Sequence, residues 1–150
     1  MFTRILVPVD LAHKEQLPRL VAAASLLVNI TQGEICLLYV DPILIHKAGS
    51  LQLDKSLYRT HEKQALAQLK ALVEEQELAQ TPALASVALT YRTCEGSAHE
   101  KILEEAEQRN ADAIVMMSKR PGLASYFIGS TAERVVRHAS CSVFVIRNND

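Results

Sequence analysis

The residues best suited to chemistry lie in the last third of the chain, just before a helical pattern that begins near residue 131. Gly129, Ser130 and Thr131 stand at the predicted start of that helix. Backbone N–H groups at a helix start have no partner within the helix, and the helix dipole favours anions there. Lys119 and Arg120 add positive charge shortly before it, and arginine can hold a phosphate through two hydrogen bonds. These residue types at this spacing predict an anion site, and our hypothesis is that it holds nucleotide phosphate.

Further candidate contacts come from the ends of three predicted strands. In an open α/β sheet, ligands bind outside the carboxyl ends of the strands, at the point where the strand order reverses. The strand ends expected at this edge contribute Pro8, Val9, Asp10, Val40, Asp41, Met116, Met117 and Ser118. We therefore expect these residues to line one crevice together with the anion site.

Each of these candidates also has a purely structural explanation, which the sequence leaves open. Ser130 or Thr131 could serve only as a helix N-cap. The Lys119–Arg120 pair could be a solvated turn, and Asp10 could cap the first helix. The two methionines could belong to the core, since methionine commonly fills gaps there.

The elements that must position these residues alternate between strand and helix. Short apolar runs predict strands over residues 4–10, 34–40, 85–91, 113–117 and 143–147. Apolar residues at three-and-four spacing predict helices over residues 13–30, 54–78 and 131–139, and a further helix that opens at 96–100. Such alternation predicts an α/β fold with a parallel sheet and helices on both faces. No repeat or linker interrupts residues 1–150, so we expect one domain.

Local signals refine the predicted element ends. Pro18 indicates that the regular part of the first helix begins near it, and Gly33 is a suitable stop after that helix. Pro8 should lie near the end of the first strand, because proline removes a ladder donor. Ser97 and Glu100 fit a capping box at the third helix. Residues 41–53 form a loop that could cover part of the sheet's carboxyl edge.

Composition and motifs exclude several functional classes. The net charge of −1 among 150 residues gives no basic excess for nucleic acid. The three cysteines and five histidines show neither disulfide nor metal-site spacing, so we predict no metal bound by protein ligands alone. The five glycines form no dinucleotide fingerprint, P-loop or hydrolase elbow. No apolar run approaches the roughly 20 residues of a membrane helix, and the first residues lack a signal-peptide pattern, so a cytoplasmic protein is expected.

Along essentially its whole length, the chain resembles the universal stress protein family, of the UspA-like type. The resemblance is strongest at residues 5–10 (Ile-Leu-Val-Pro-Val-Asp), at residues 111–116 and over the closing segment 129–147. It implies a Rossmann-like, adenine nucleotide alpha hydrolase-like sheet of strand order 3-2-1-4-5. It also implies a homodimer through the last strand, with Val143 and Val145 in the contact.

The family's ATP-binding pattern, G-x2-G-x9-G-[S/T], is only partly present. Gly129 and Ser130 match its end, whereas Met117 and Arg120 replace the first two glycines, and eight residues instead of nine separate Arg120 from Gly129. Without these glycines the backbone cannot approach a phosphate as closely. The side chains of Arg120 or Lys119 could compensate for the lost backbone contacts. The segment 118–130 further resembles the F- and G-type proteins of enteric bacteria.

By this resemblance the ligand would be ATP, alone or with Mg²⁺. The resemblance implies that Val9, Asp10, Val40 and Met116 contact adenine and ribose, and that Ser118, Gly129, Ser130 and Thr131 contact the phosphates. Three interpretations follow: a dimeric nucleotide-binding stress-response sensor or adaptor, a dimeric protein-interaction module without nucleotide, and a weak ATPase. For the last, Asp10 is the only evident general base, so no catalytic residue is assigned.

Overall fold

Five parallel strands form one sheet in the computed structural model, which describes residues 1–42, 55–118 and 128–147. The strand order is β3-β2-β1-β4-β5, as the family resemblance implied. All four neighbouring pairs are parallel. The strands are β1 (Arg4–Val9), β2 (Glu34–Asp41), β3 (Ala88–Glu95), β4 (Ala113–Met117) and β5 (Ser142–Ile146).

Helices cover both faces of the sheet and give it two apolar cores. The helices are α1 (Leu17–Leu27), α2 (Lys55–Glu75), α3 (Ala98–Gln108) and α4 (Ser130–His138), with short 3-10 helices at Leu11–Gln16, Leu78–Gln80 and Pro82–Leu84. Leu20 of α1 and Leu69 of α2 belong to the core on one face. Ile102 of α3 and Val135 of α4 belong to the core on the other. The described helices include none that combines the length and apolar character needed to cross a bilayer.

The central strands are apolar at successive positions because both of their faces are buried. In β1, Ile5 and Val7 face the core under α1 and α2, whereas Leu6 faces the core under α3 and α4. The edge strands β3 and β5 are only half-buried, which agrees with their more mixed composition. An unbroken apolar run therefore marked the central strands correctly.

The three cysteines are free thiols. Burial raises the pKa of Cys36, and it raises the pKa of Cys94 to about 11. Burial likewise raises the pKa of Cys141. Since the thiolate is the reactive form, these raised pKa values favour three unreactive thiols that act as small apolar side chains.

The third strand was misplaced by the sequence analysis. Residues 85–91 were predicted, but β3 begins at Ala88 and continues to Glu95. A 3-10 helix at Pro82–Leu84 precedes the strand and delays its start. Pairing with β2 continues to the last residue of each strand, where Asp41 of β2 is the register partner of Glu95 of β3. The partner strand set these limits, and they cannot be inferred from the local pattern of residues 85–91.

Helix ends also differ from the prediction, and α2 stops at Glu75 instead of residue 78. Helix α1 starts next to Pro18 as expected, but it ends at Leu27 because Val28 turns to an extended conformation and bridges to Phe2. Gly33 therefore lies well beyond the helix and is not its cap. The capping box at α3 is wrong, because the Ser97 side chain makes no capping hydrogen bond. The predicted loop over residues 41–53 lies outside the described residues, except for its first two positions.

Candidate functional site

The carboxyl ends of β1, β2 and β4 meet at one edge of the sheet, since all strands run in the same direction. After β1 the chain passes through α1 on one face, and after β4 it passes through α4 on the opposite face. The strand order thus reverses between β1 and β4. Such a switch point leaves a crevice between the two connections, where open α/β sheets bind their ligands.

Ser118 and Gly129, predicted as phosphate contacts, are held side by side at this point. The Gly129 N–H donates to the Ser118 carbonyl at 2.7 Å, and the Ser118 N–H donates to the Ile146 carbonyl at 2.8 Å. The end of β4 and the start of α4 are therefore adjacent, while residues 119–127 lie outside the described part of the chain. Lys119 and Arg120 belong to this segment and lie outside the described residues, so their phosphate contacts stay predictions.

The Ser118 hydroxyl is buried and lacks a partner. The residue is 1% exposed, and its Oγ makes no hydrogen bond within the described part of the chain. Leaving such a group unpaired costs about 1–3 kcal/mol. A hydroxyl in this condition, next to a helix start, is suited to bond an oxygen atom of a ligand.

The start of α4 keeps its backbone N–H groups free of side-chain caps. Gly129 is the N-cap in an extended conformation, and no side-chain capping bond is formed. The alternative in which Ser130 or Thr131 merely caps the helix is therefore wrong. Ser130 is exposed and Thr131 is half-buried, so the Ser130 hydroxyl is accessible from solvent beside the uncapped helix start.

Asp10 does act as a cap. Its Oδ1 accepts a hydrogen bond from the Ala12 N–H at 2.9 Å, at the beginning of the 3-10 helix Leu11–Gln16. Its Oδ2 lies 3.9 Å from Nε2 of His13. The capping interpretation is thus confirmed, although the Asp10 side chain remains 36% exposed.

The apolar candidates divide between the two faces of the sheet. Val40 and Met116 contact the core under α3 and α4, whereas Val9 and Met117 contact the core under α1 and α2. Met116 is only 4% exposed, so its side chain belongs to the core. Pro8 is the penultimate residue of β1, as predicted. The roles of these residues in binding adenine and ribose stay predictions.

Sequence reasoning placed Asp41 at this edge of the sheet but missed the carboxylates that surround it. Asp41 and Glu95 are register partners at the ends of β2 and β3, and the Gly96 N–H donates to the Asp41 carbonyl at 3.1 Å. Helix α2 lies next to β3, and the Thr93 hydroxyl donates to the backbone carbonyl of Glu62 at 3.3 Å. The pairing of two acids became visible only with the strand register. Within the described ranges no three histidine, cysteine or acidic side chains are arranged to hold a metal ion.

These carboxylates make the β2–β3 end of the edge acidic. Burial raises the pKa of Glu95, the charges of Glu62 and Asp41 act in the same direction, and His61 opposes them. Burial also raises the pKa of Tyr39, with Asp41 and then Asp10 adding to the effect. A phosphate is disfavoured beside these acids, so Ser118 and the start of α4 are the better candidates for contact with an anion.

Glu95→Gln is expected to stabilise the fold at neutral pH. Because the folded pKa of Glu95 is raised, the native state binds more protons than the unfolded state, and stability falls as pH rises through the window between the ordinary and the raised pKa. Above that window the destabilisation is fully present, so the variant's Tm should be higher at pH 7 by on the order of 1–2 °C. The gain should vanish below about pH 4, where the carboxyl is protonated in both states.

Thermal melts of Glu95→Gln and of the control Glu77→Gln, recorded between pH 4 and pH 8, test this expectation. Glu77 is exposed and lies outside the α-helices, so its replacement should leave Tm unchanged. An unchanged or lower Tm for Glu95→Gln at pH 7 would contradict the expectation.

Comparison with known proteins first confirms the fold class. The solved structure of universal stress protein UspA from Lactobacillus plantarum superposes with a TM-score of 0.65 at 27% identity, covering 97% of each chain. A universal stress protein solved in complex with cAMP superposes with a TM-score of 0.61 at 17% identity, and the match covers 97% of each chain. A universal stress protein family protein from Arabidopsis thaliana with AMP bound superposes with a TM-score of 0.54 at 19% identity. The match covers 98% of this chain and 92% of that one. Their common architecture is the Rossmann-like parallel sheet described above.

The family itself is then shown by sequence. The model of the universal stress protein family matches residues 1–147. Universal stress protein G from Shigella flexneri is 28% identical over 149 residues, which cover 98% of this chain and 100% of that protein. This chain therefore belongs to the universal stress protein family.

Proposed function

We propose that this protein binds an adenine nucleotide in the crevice between β1 and β4 and works as a dimeric, ATP-binding stress-response sensor or adaptor. The observation that carries the proposal is the arrangement of Ser118 and Gly129. A buried hydroxyl without a partner lies beside a helix start without a side-chain cap, and a backbone hydrogen bond holds the two together. Each of these groups can donate a hydrogen bond to a phosphate oxygen.

Adenine nucleotides are favoured over other phosphate compounds by two lines of support. Relatives of the same fold were solved with cAMP and with AMP. The charges of the edge also fit such a molecule, because the phosphates would lie at α4 while the Asp10 carboxylate can accept from ribose hydroxyls. ATP, alone or with Mg²⁺, is the proposed ligand. A hydrolytic step is not proposed, since Asp10 already accepts from the Ala12 N–H.

The replaced glycines define how this site would differ from the family's full pattern. Met117 is the last residue of β4 and is the register partner of Ile146, so its backbone is part of the sheet and does not form a phosphate-binding loop. Phosphate binding would then depend on the Ser118 hydroxyl, the N–H groups of α4 and nearby cationic side chains. We propose that residues 1–150 act as one domain, and the cytoplasmic location stays a prediction.

Mass analysis of freshly purified protein, followed by calorimetry on nucleotide-free protein, tests the proposal. ATP should bind with a dissociation constant in the micromolar range. Ser118→Ala should weaken ATP about fivefold to tenfold, which corresponds to one hydrogen bond, while Tm stays the same or rises because a buried unpaired group is removed. Ser140→Ala, at an exposed position beyond α4, is the matched control and should change neither quantity.

Absence of binding at millimolar ATP with Mg²⁺ would disprove the proposal. The chain would then be better explained as a dimeric interaction module without nucleotide. The half-buried edge strand β5 is the feature that favours this second function.

A further inference from the structure

Arg134 and His99 meet across the contact between α4 and α3, close to the starts of both helices. Nη1 of Arg134 lies 3.4 Å from Nδ1 of His99. The Ser97 hydroxyl lies 3.1 Å from the same nitrogen. Neither Arg134 nor His99 was among the candidates from the sequence, because only the packing of α3 on α4 brings them together.

Arg134 is placed to reach the phosphate site. It follows Ser130 by four residues, so the two share one face of α4 and are separated by about 6 Å along the helix axis. Helical side chains lean toward the amino terminus, which directs the Arg134 stem toward the α4 start. Its guanidinium reaches His99, the second residue of α3, and α3 starts at the same edge of the sheet.

The Arg134 charge is not neutralised within the described part of the chain. Arginine can only donate hydrogen bonds, so in this contact the Nδ1 atom of His99 is the acceptor. The neighbouring Glu133 is bound to Arg137 at 2.9 Å. The Glu100 carboxylate lies 4.0 Å from Nε2 of His99 and is 71% exposed.

We infer that Arg134, positioned by His99, binds a second phosphate and makes the site selective for nucleoside di- and triphosphates over monophosphates. This inference rests on the proposed function. The Ser118 hydroxyl and the α4 N–H groups would hold the phosphate nearest the ribose. A further phosphate would then lie over the groove between the starts of α3 and α4, where Arg134 offers two parallel N–H donors that a monophosphate cannot use.

Calorimetric titrations with ATP, ADP and AMP on nucleotide-free variants test this assignment. Arg134→Ala should weaken ATP and ADP at least about tenfold, as expected for hydrogen bonds to a charged group, and AMP less than twofold. Arg134→Lys should recover part of the loss, because it keeps the charge and loses the paired donors. His99→Ala should weaken ATP a few-fold by releasing the guanidinium.

Arg137→Ala is the matched control, because Arg137 lies on the same helix, is 67% exposed and pairs with Glu133. It should leave all three affinities unchanged. Equal losses for ATP and AMP with Arg134→Ala, or no loss for either, would overturn the inference while the proposed nucleotide site stands. Absence of ATP binding by the unmodified protein would overturn both.

Discussion

Ser130→Asp is expected to weaken ATP binding by at least about a hundredfold while leaving the fold intact. Ser130 is the first residue of α4 and is exposed, so the new carboxylate would stand where the phosphates are proposed to bind. Two like charges about 4 Å apart repel by roughly 1–4 kcal/mol at effective dielectric constants between bulk water and a protein surface. The hydroxyl's own hydrogen bond would be lost as well.

The same substitution should not destabilise the protein. A negative charge in the first turn of a helix interacts favourably with the helix dipole, typically by 0.3–1 kcal/mol. Tm should therefore stay constant or rise slightly while affinity falls. Opposite changes in the two quantities separate loss of the site from loss of the fold.

Ser130→Asn is the matched control because it has nearly the size of aspartate without its charge. Calorimetry should show only a small change in ATP affinity for this variant, and thermal melts should show all three proteins folded. Similar ATP affinities for the aspartate and asparagine variants would place the phosphates elsewhere.

The sequence predicted the fold well because the signals for it are local and repeated. Runs such as Ile5–Leu6–Val7 are buried on both faces, and they alternate with helices whose apolar residues recur every three or four positions. Element ends were less predictable because they depend on partners distant in the chain. The end of β3 is set by Asp41 in β2, and the start of β1 is tied to Asp112, whose carboxylate accepts from the Thr3 and Arg4 N–H groups.

The candidate site was predictable only in part, for a related reason. The sequence pattern shows which residues lie at a strand end or a helix start. On that basis Ser118 and Gly129 were expected at the same edge of the sheet, and in the structure they are hydrogen-bonded to each other. Whether a side chain at such a position is already engaged cannot be inferred. The sequence left Asp10 open between capping and binding. Its bond to Ala12 and the missing partner of the Ser118 hydroxyl are features of the folded chain that no local pattern reveals. The contact between Arg134 and His99 joins residues that are 35 positions apart on two helices, beyond any local pattern.

Val145→Lys is expected to convert the proposed dimer to monomers. Strand β5 lies at the edge of the sheet and pairs only with β4 in the described part of the chain. In the proposed assembly its outer side faces β5 of a second copy, and Val143 and Val145 of both copies contribute the apolar contact. A lysine there would bring two like charges together in a paired apolar strand. The dimer dissociation constant should rise at least about a hundredfold.

Val145 is a better position for this test than its neighbour Phe144. The Phe144 ring packs edge-on against Phe2 at a centroid distance of 5.3 Å, so its replacement would damage the fold of each copy. Val145 is half-buried beside the core under α3 and α4, and thermal melts will measure any loss of stability within the monomer. Val143→Lys should act in the same direction.

Sedimentation at micromolar concentrations is the decisive measurement. The unmodified chain should sediment at twice its mass of 16.6 kDa, and Val145→Lys should sediment at that mass itself. Leu26→Lys is the control, because Leu26 is 78% exposed on α1, against the opposite face of the sheet from α4, and should leave the dimer unchanged. A folded Val145→Lys protein that still sediments as a dimer would exclude β5 as the contact. At that contact the two lysines would face each other across a twofold axis, and burying both charges would strongly weaken dimerisation.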